Sequence, residues 1–206
     1  MNNHKISVTA IALVALALIG SVPSGSTTYA IDTQHTQIQF RVRHLGISTV
    51  TGHFAAFGGN LVFDPNAMED GSVDVAIEAA SIDTAVEARD EHLRSADFFD
   101  VAEHPEMTFK SSAVEMTDDG LKVNGDLTIR GVTRPVVLDA EFNGSAVDPW
   151  GNSRVGFSAR TKISRQDFGL TWNKALEAGG FVVGDEVSII LDIEAIEQKA
   201  EAAGAQ

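Results

Sequence analysis

The sequence predicts an all-β domain of about eight antiparallel strands carrying one short helix. Three observations predict it. Short runs of strictly alternating apolar and polar residues recur about eight times along the chain. Turn signals divide them, among them Asp64-Pro65, Asp70-Gly71, Asp118-Asp119-Gly120, Arg130-Gly131 and Asp148-Pro149-Trp150-Gly151. Only the stretch from Thr84 to Phe99 departs from this pattern, with a helical one. One wet and one apolar face per strand implies antiparallel pairing. That many such strands in one domain imply a closed barrel or a sandwich, and the lack of alternating helices argues against a parallel α/β fold.

Taken in order, Ile38, Phe40 and Val42 face one way and Gln37, Gln39, Arg41 and Arg43 the other. A second run from Val50 to Phe57 continues through Leu61 and Phe63, with Gly58-Gly59 expected as a bulge or bend between. Val73, Val75, Ile77 and Ala79 alternate with Ser72, Asp74, Ala76 and Glu78. The helix is expected to start at Thr84, because Thr84-Ala85-Val86-Glu87 has the form of a capping box. Val86, Leu93 and Ala96 then share a stripe, Asp90 and Arg94 are spaced to pair, and Phe98-Phe99 read as a hydrophobic plug. Strands follow at Met107 and Phe109, at Leu121 to Ile129, at Val136 to Phe142, at Val155 to Ile163, and at Val187 to Ile193.

The chain has an N-terminal signal pattern. Lys5 precedes an uncharged apolar run from Ile6 to Ile19, and small residues follow. The run is shorter than the ~20 residues a membrane span needs. Residues 1–28 are therefore read as a cleaved secretory signal, cut between about 26 and 30, with a periplasmic destination and no stable membrane insertion. Residues 29–198 form one domain large enough for a sizeable core, and 199–206 a flexible tail. The formal charge of −14 argues against nucleic acid and anionic membranes as partners. With no cysteine, disulfides, thiolate zinc and Cys nucleophiles are excluded.

The inward faces carry Val, Ile, Leu, Phe, Ala or Gly almost throughout. An eight-strand barrel is either filled by such side chains or holds one small ligand, and this lining suits a long apolar molecule rather than a sugar or nucleotide. A solid core is the competing reading. His44 continues the inward phase of Ile38, Phe40 and Val42, as a core histidine or as a contact for a polar head group. Arg89, His92 and Arg94 offer donors to a phosphate or carboxylate, or Arg89 pairs with Asp83, Asp90 or Asp97 to fix the helix. The histidines show no metal-ligand spacing, and no metal site is expected. Asp167-Phe168-Gly169 spells the kinase metal-binding triplet, but no accompanying kinase motif is present.

Four blocks carry a resemblance. The first is Asp32 to Phe40 with Arg43-His44-Leu45-Gly46 and Gly52-His53-Phe54. The second runs from Ser81-Ile82-Asp83-Thr84 through Arg89-Asp90-Glu91-His92-Leu93-Arg94-Ser95 and Asp97-Phe98-Phe99-Asp100 to His104-Pro105-Glu106-Met107-Thr108-Phe109. The third is Gly125 to Pro135, and the fourth Arg165 to Leu170 with Gly184-Asp185-Glu186-Val187. In this order and over one domain they resemble the YceI family of exported lipid-binding proteins. The resemblance implies an antiparallel lipocalin-like β-barrel with its helix near the mouth. It also implies a long apolar tunnel for a polyisoprenoid, an isoprenyl phosphate or a quinone, with no other cofactor.

On that footing the expected tunnel wall comprises Phe40, Val42, Phe54, Ile77 and Phe109, together with Leu127, Phe142, Phe157, Phe168 and Trp172. Arg89, His92 and His44 are expected near the mouth. The function expected is non-catalytic carriage or storage of such a lipid. Two alternatives stand beside it: an enzyme acting on an isoprenoid or acyl substrate with His44 or His92 as base, and a ligand-free stress-response module. The sequence does not choose the lipid, and it leaves open whether the protein is a homodimer.

Overall fold

The computed structural model describes residues 25–177 and 179–199. Residues 1–24 of the proposed signal segment 1–28 and residues 200–206 of the proposed tail 199–206 lie outside the described residues. The strands are β1 (Thr27–Ile31), β2 (Gln37–His44), β3 (Ser48–Phe54), β4 (Phe57–Phe63), β5 (Ser72–Glu78) and β6 (Ile82–Asp83). After α1 (Glu87–Arg94) come β7 (Glu106–Thr117), β8 (Gly120–Ile129), β9 (Val132–Val147), β10 (Ser153–Ser164) and β11 (Val183–Glu197).

Every pairing between these strands is antiparallel, and three pairs of short strands act as single staves. β1 and β2 lie end to end along β11, β3 and β4 lie along β2 and β1, and β5 and β6 lie along β4 and β3. The result is a closed barrel of eight staves, sealed where β1 meets β11 at Tyr29↔Glu197 and Ala30↔Ile196. Closure removes exposed sheet edges, the aggregation hazard of an open sheet of this width.

Local chemistry sets the turns. Ile129 pairs with Val132 across Arg130 (φ 50°) and Gly131 (φ 70°), a two-residue hairpin whose left-handed backbone matches strand twist. Gly58 and Gly59 do not form the expected bulge, since both pair in regular register with Ala76 and Val75. Gly59 is needed for a different reason: a Cβ there would stand 2.2 Å from the Asp74 carbonyl oxygen. The register instead shifts in β9 and β10, where Gly156 faces Gly144 but Phe157 faces Phe142.

The helix begins two residues later than the capping box predicts. Val86 is its N-cap and makes no side-chain cap bond. Asp90 explains the difference, because it is buried and its carboxylate takes both Thr84 donors, the amide at 3.0 Å and the hydroxyl at 2.5 Å. Arg94 accordingly pairs with Glu87 rather than Asp90 and donates to the Ala80 and Ile82 carbonyls. No helix among the described residues is long and apolar enough to cross a membrane.

On the outer face, Arg154 binds Asp32 at 2.7 Å and Asp148 at 2.9 Å, and also bonds Glu194. Asp32, His35 and Glu194 come close enough together to resemble a metal site. The Arg154 guanidinium already supplies the cation that this group of carboxylates needs. The cluster ties the break between β1 and β2 to β10 and β11.

Candidate functional site

The barrel interior holds a cavity of about 200 Å³. A single water needs only ~10–15 Å³, so the space takes a far larger molecule. Every strand except the two-residue β6 contributes to the wall, which is overwhelmingly aliphatic and aromatic. Phe40, Ile77, Ile189 and Leu191 face inward yet are only partly buried, because one side of each meets open space rather than side chains.

Seven of the residues singled out from the sequence meet at this wall. Phe40 and Val42 come from β2, Phe54 from β3 and Ile77 from β5. Phe109 comes from β7, Leu127 from β8, and Phe168 from the turn after β10. Two aromatics lie flat because the neighbouring strand offers glycine. Phe40 is paired with Gly52, whose Cβ would meet the ring at 2.4 Å, and Phe109 covers Gly125 in the same way at 2.5 Å. Larger residues at Gly52 and Gly125 would turn those rings into the lumen.

The other six sit elsewhere. Phe142 and Phe157 stack with Phe63 in a trio with centroids 4.9–5.2 Å apart. This trio packs in a second core cluster with Tyr29, Leu61 and Ala195. Phe157 lines a smaller cavity of about 80 Å³, which shares Leu61, Val73, Leu138 and Ile193 with the main one and so extends it along the barrel. His44 follows the inward phase but stands at the end of β2, past the cavity wall, half-buried and paired with Ser48 and Val183.

Arg89 makes no ion pair with Asp83, Asp90 or Asp97. It donates to the Thr84 hydroxyl and to the Thr84 carbonyl, both at 2.7 Å, and so locks the helix entry. His92 bonds Asp97 at 2.8 Å and stacks edge-on against Phe98 and Trp172. Trp172 packs on Phe98, placing both His92 and Trp172 one layer behind the wall. Phe98 itself is buried, and with Leu93 and Phe99 it closes the helix end of the cavity. The predicted plug is therefore the cavity's cover.

Arg165 is the residue that the strand pattern should have exposed. The inward phase Val155, Phe157, Ala159 and Ile163, carried two residues further, lands on this arginine. It lines the cavity and is 4% exposed. Its Nε donates to the Gly184 carbonyl at 2.9 Å, and its Nη1 to the Trp172 carbonyl at 3.0 Å and to that of Leu170. Nη2 is buried with no hydrogen-bond partner among the described residues. Burial pushes the Arg165 pKa down, partly offset by the field of Asp185, yet a guanidinium stays charged in any protein.

A closed antiparallel barrel with an apolar interior and a helical cover defines a class of proteins rather than an individual one. The comparisons supply the family. The YceI-like domain model matches residues 29–195. UPF0312 protein ECA1782 of Pectobacterium atrosepticum is 38% identical over 194 residues, covering 94% of this chain and 97% of that protein. The chain belongs to the YceI family. The crystal structure of the Campylobacter jejuni YceI protein superposes with a TM-score of 0.66 at 35% identity, over 76% of this chain and 90% of that one. A polyisoprenoid binding domain from Saccharophagus degradans shares the fold, with a TM-score of 0.59 at 15% identity, over 84% of this chain and 99% of that one.

Proposed function

We propose that this protein is a non-catalytic carrier of a long-chain isoprenoid lipid, exported to the periplasm and holding the lipid's chain inside the barrel. The observation that carries the reading is the apolar cavity running from the helical cover toward the Phe63–Phe142–Phe157 trio. Such a wall offers nothing to a sugar or nucleotide and suits a hydrocarbon chain. Burial gives about 0.8 kcal/mol per methylene, so a chain of about ten carbons offsets the several kcal/mol that association costs. The polyisoprenoid binding described for the Saccharophagus degradans domain supports the same ligand class. The apolar run Ile6–Ile19 supports export.

Native mass spectrometry of the protein purified from the cells that make it, with organic extraction of bound material, tests this. A discrete added mass matching a polyprenyl lipid is expected. A protein that carries nothing and ignores added isoprenoids would overturn the reading.

A further inference from the structure

We infer that the bound lipid leaves the barrel sideways, between β9 and β10, with its chain in the apolar cavity and its polar end in a second cavity on the outer side of that gap. This rests on the reading of the main cavity as a lipid site and adds where the two ends of the ligand lie.

β9 and β10 do not pair over their full height. Their register runs from Ser153↔Val147 to Arg160↔Asp139 and stops there. Beyond it, among the described residues, Val132–Leu138 of β9 pair only with β8, and Thr161–Ser164 of β10 only with β11. Pro135, which has no N–H to give a ladder, lies in this unpaired stretch. A chain crossing between paired strands breaks backbone hydrogen bonds, whereas here it has only side chains to displace.

A cavity of about 380 Å³ lies against the same stretch, lined by residues 134–137 of β9 and 162–164 of β10. It shares Val136, Ile163 and Phe168 with the main cavity, so these three side chains form the partition between the two. Val136 and Ile163 are only partly buried. The turn Gln166–Phe168 touches both strands and supplies the Phe168 ring that completes the partition.

The chemistry of the two cavities divides an amphipathic molecule between them. The accessible wall of the main cavity is apolar throughout and gives a polar end no hydrogen bond. The outer cavity brings Ser112, Asn124, Arg134, Lys162, Ser164 and Asp167. Lys162 pairs with Glu186 at 2.8 Å, and Asp167 offsets Arg134 in charge, so the outer cavity offers hydrogen bonds without a net charge. It suits an uncharged polar end such as a hydroxyl or a carbonyl.

The chain has no cysteine, so a single introduced thiol reports alone. Val137 is 43% exposed and lines the outer cavity, while Ala96 is exposed in the helical cover. The full chain carrying Val137→Cys or Ala96→Cys is treated with N-geranylgeranylmaleimide, and with N-ethylmaleimide to set each thiol's own reactivity. Mass spectrometry follows the labelling. The ratio of geranylgeranyl to ethyl labelling rates is expected to be about 10-fold or more higher at Val137→Cys, because a bound chain holds its head there, and added geranylgeraniol is expected to abolish the difference. A higher ratio at Ala96→Cys puts the polar end under the helix, and equal ratios show no preferred exit; either overturns the inference, as does a preference that geranylgeraniol leaves intact. If Val137→Cys does not fold, Lys162→Cys on the facing strand makes the same comparison. Wild type that binds no geranylgeraniol in native mass spectrometry overturns the carrier reading itself, an outcome separate from any difference between variants.

Discussion

Gly52→Ala is the most direct probe of how the cavity is kept open. Gly52 pairs with Phe40, and a Cβ there would stand 2.4 Å from Phe40 Cζ, 2.7 Å from Cε1 and 2.8 Å from Thr84 Cγ2. Ordinary contact is 3.4–4 Å, so the ring has to move by about 1 Å or more. It has somewhere to go, because Phe40 borders the cavity. Overpacking costs about 1–3 kcal/mol, with the low end expected next to open space, and alanine recovers about 0.5 kcal/mol of the strand penalty of glycine. A net loss of about 0.5–2 kcal/mol lowers the Tm of a domain this size by roughly 1–8 °C. The cavity loses volume to the ring, so lipid retained on purification falls while the barrel stays folded.

Gly125→Ala supplies the contrast, since its Cβ would also meet the Lys110 backbone oxygen at 2.6 Å, which cannot swing aside. It should destabilise more than Gly52→Ala. The assay is a thermal-melt double-mutant cycle with Phe40→Ala. Removing the ring should rescue Gly52→Ala by 0.5 kcal/mol or more, taking the usual coupling of residues in contact as about 0.5–3 kcal/mol. Strict additivity of the two substitutions would refute the steric argument.

Two further predictions concern stability. Phe168 is 1% exposed although it borders the cavity, so Phe168→Ala should cost about 3–5 kcal/mol and lower Tm by roughly 6–20 °C; a drop of a degree or two in a melt would show that its packing is loose. Burial alone would raise the Asp32 pKa, but hydrogen bonds from His35, Arg154 and the Gln34 amide overcome this and hold it at about 2. Its contribution to stability is therefore complete above the unfolded value of about 3.9 and is lost as pH falls from there toward 2. Melting temperatures should decline across that window, and Asp32→Asn should flatten the decline; an unchanged acid limb in the variant would count against this assignment.

Much of the fold was legible because period-two alternation reports directly which face of a strand is apolar. It does not report height along the barrel axis, which only register decides. That is why His44, Phe142 and Phe157 share the inward phase yet stand beyond the ends of the main cavity wall. The staves made of two short strands were hidden for a related reason, since β1 and β2 become one line only when both lie on β11. The capping box misled because the buried Asp90 carboxylate, six residues on, takes the Thr84 hydroxyl, a partner outside the four-residue capping pattern. Arg165 did leave a sign: a charge in an inward phase, at the last position where the alternation still runs.

The seam of the barrel joins the beginning of the domain to its end. The Thr36 hydroxyl donates to the Glu194 carbonyl across 158 residues, and β11 alone holds β10, β1 and β2 together. Contacts of such long range form late in folding. Without β11 the cavity wall lacks Val183, Val187, Ile189, Leu191 and Ile193 and stands open along that stave. On the proposed function, a lipid met before β11 docks is enclosed by folding itself, whereas one met afterwards has to pass the helix or the turns that cover the cavity.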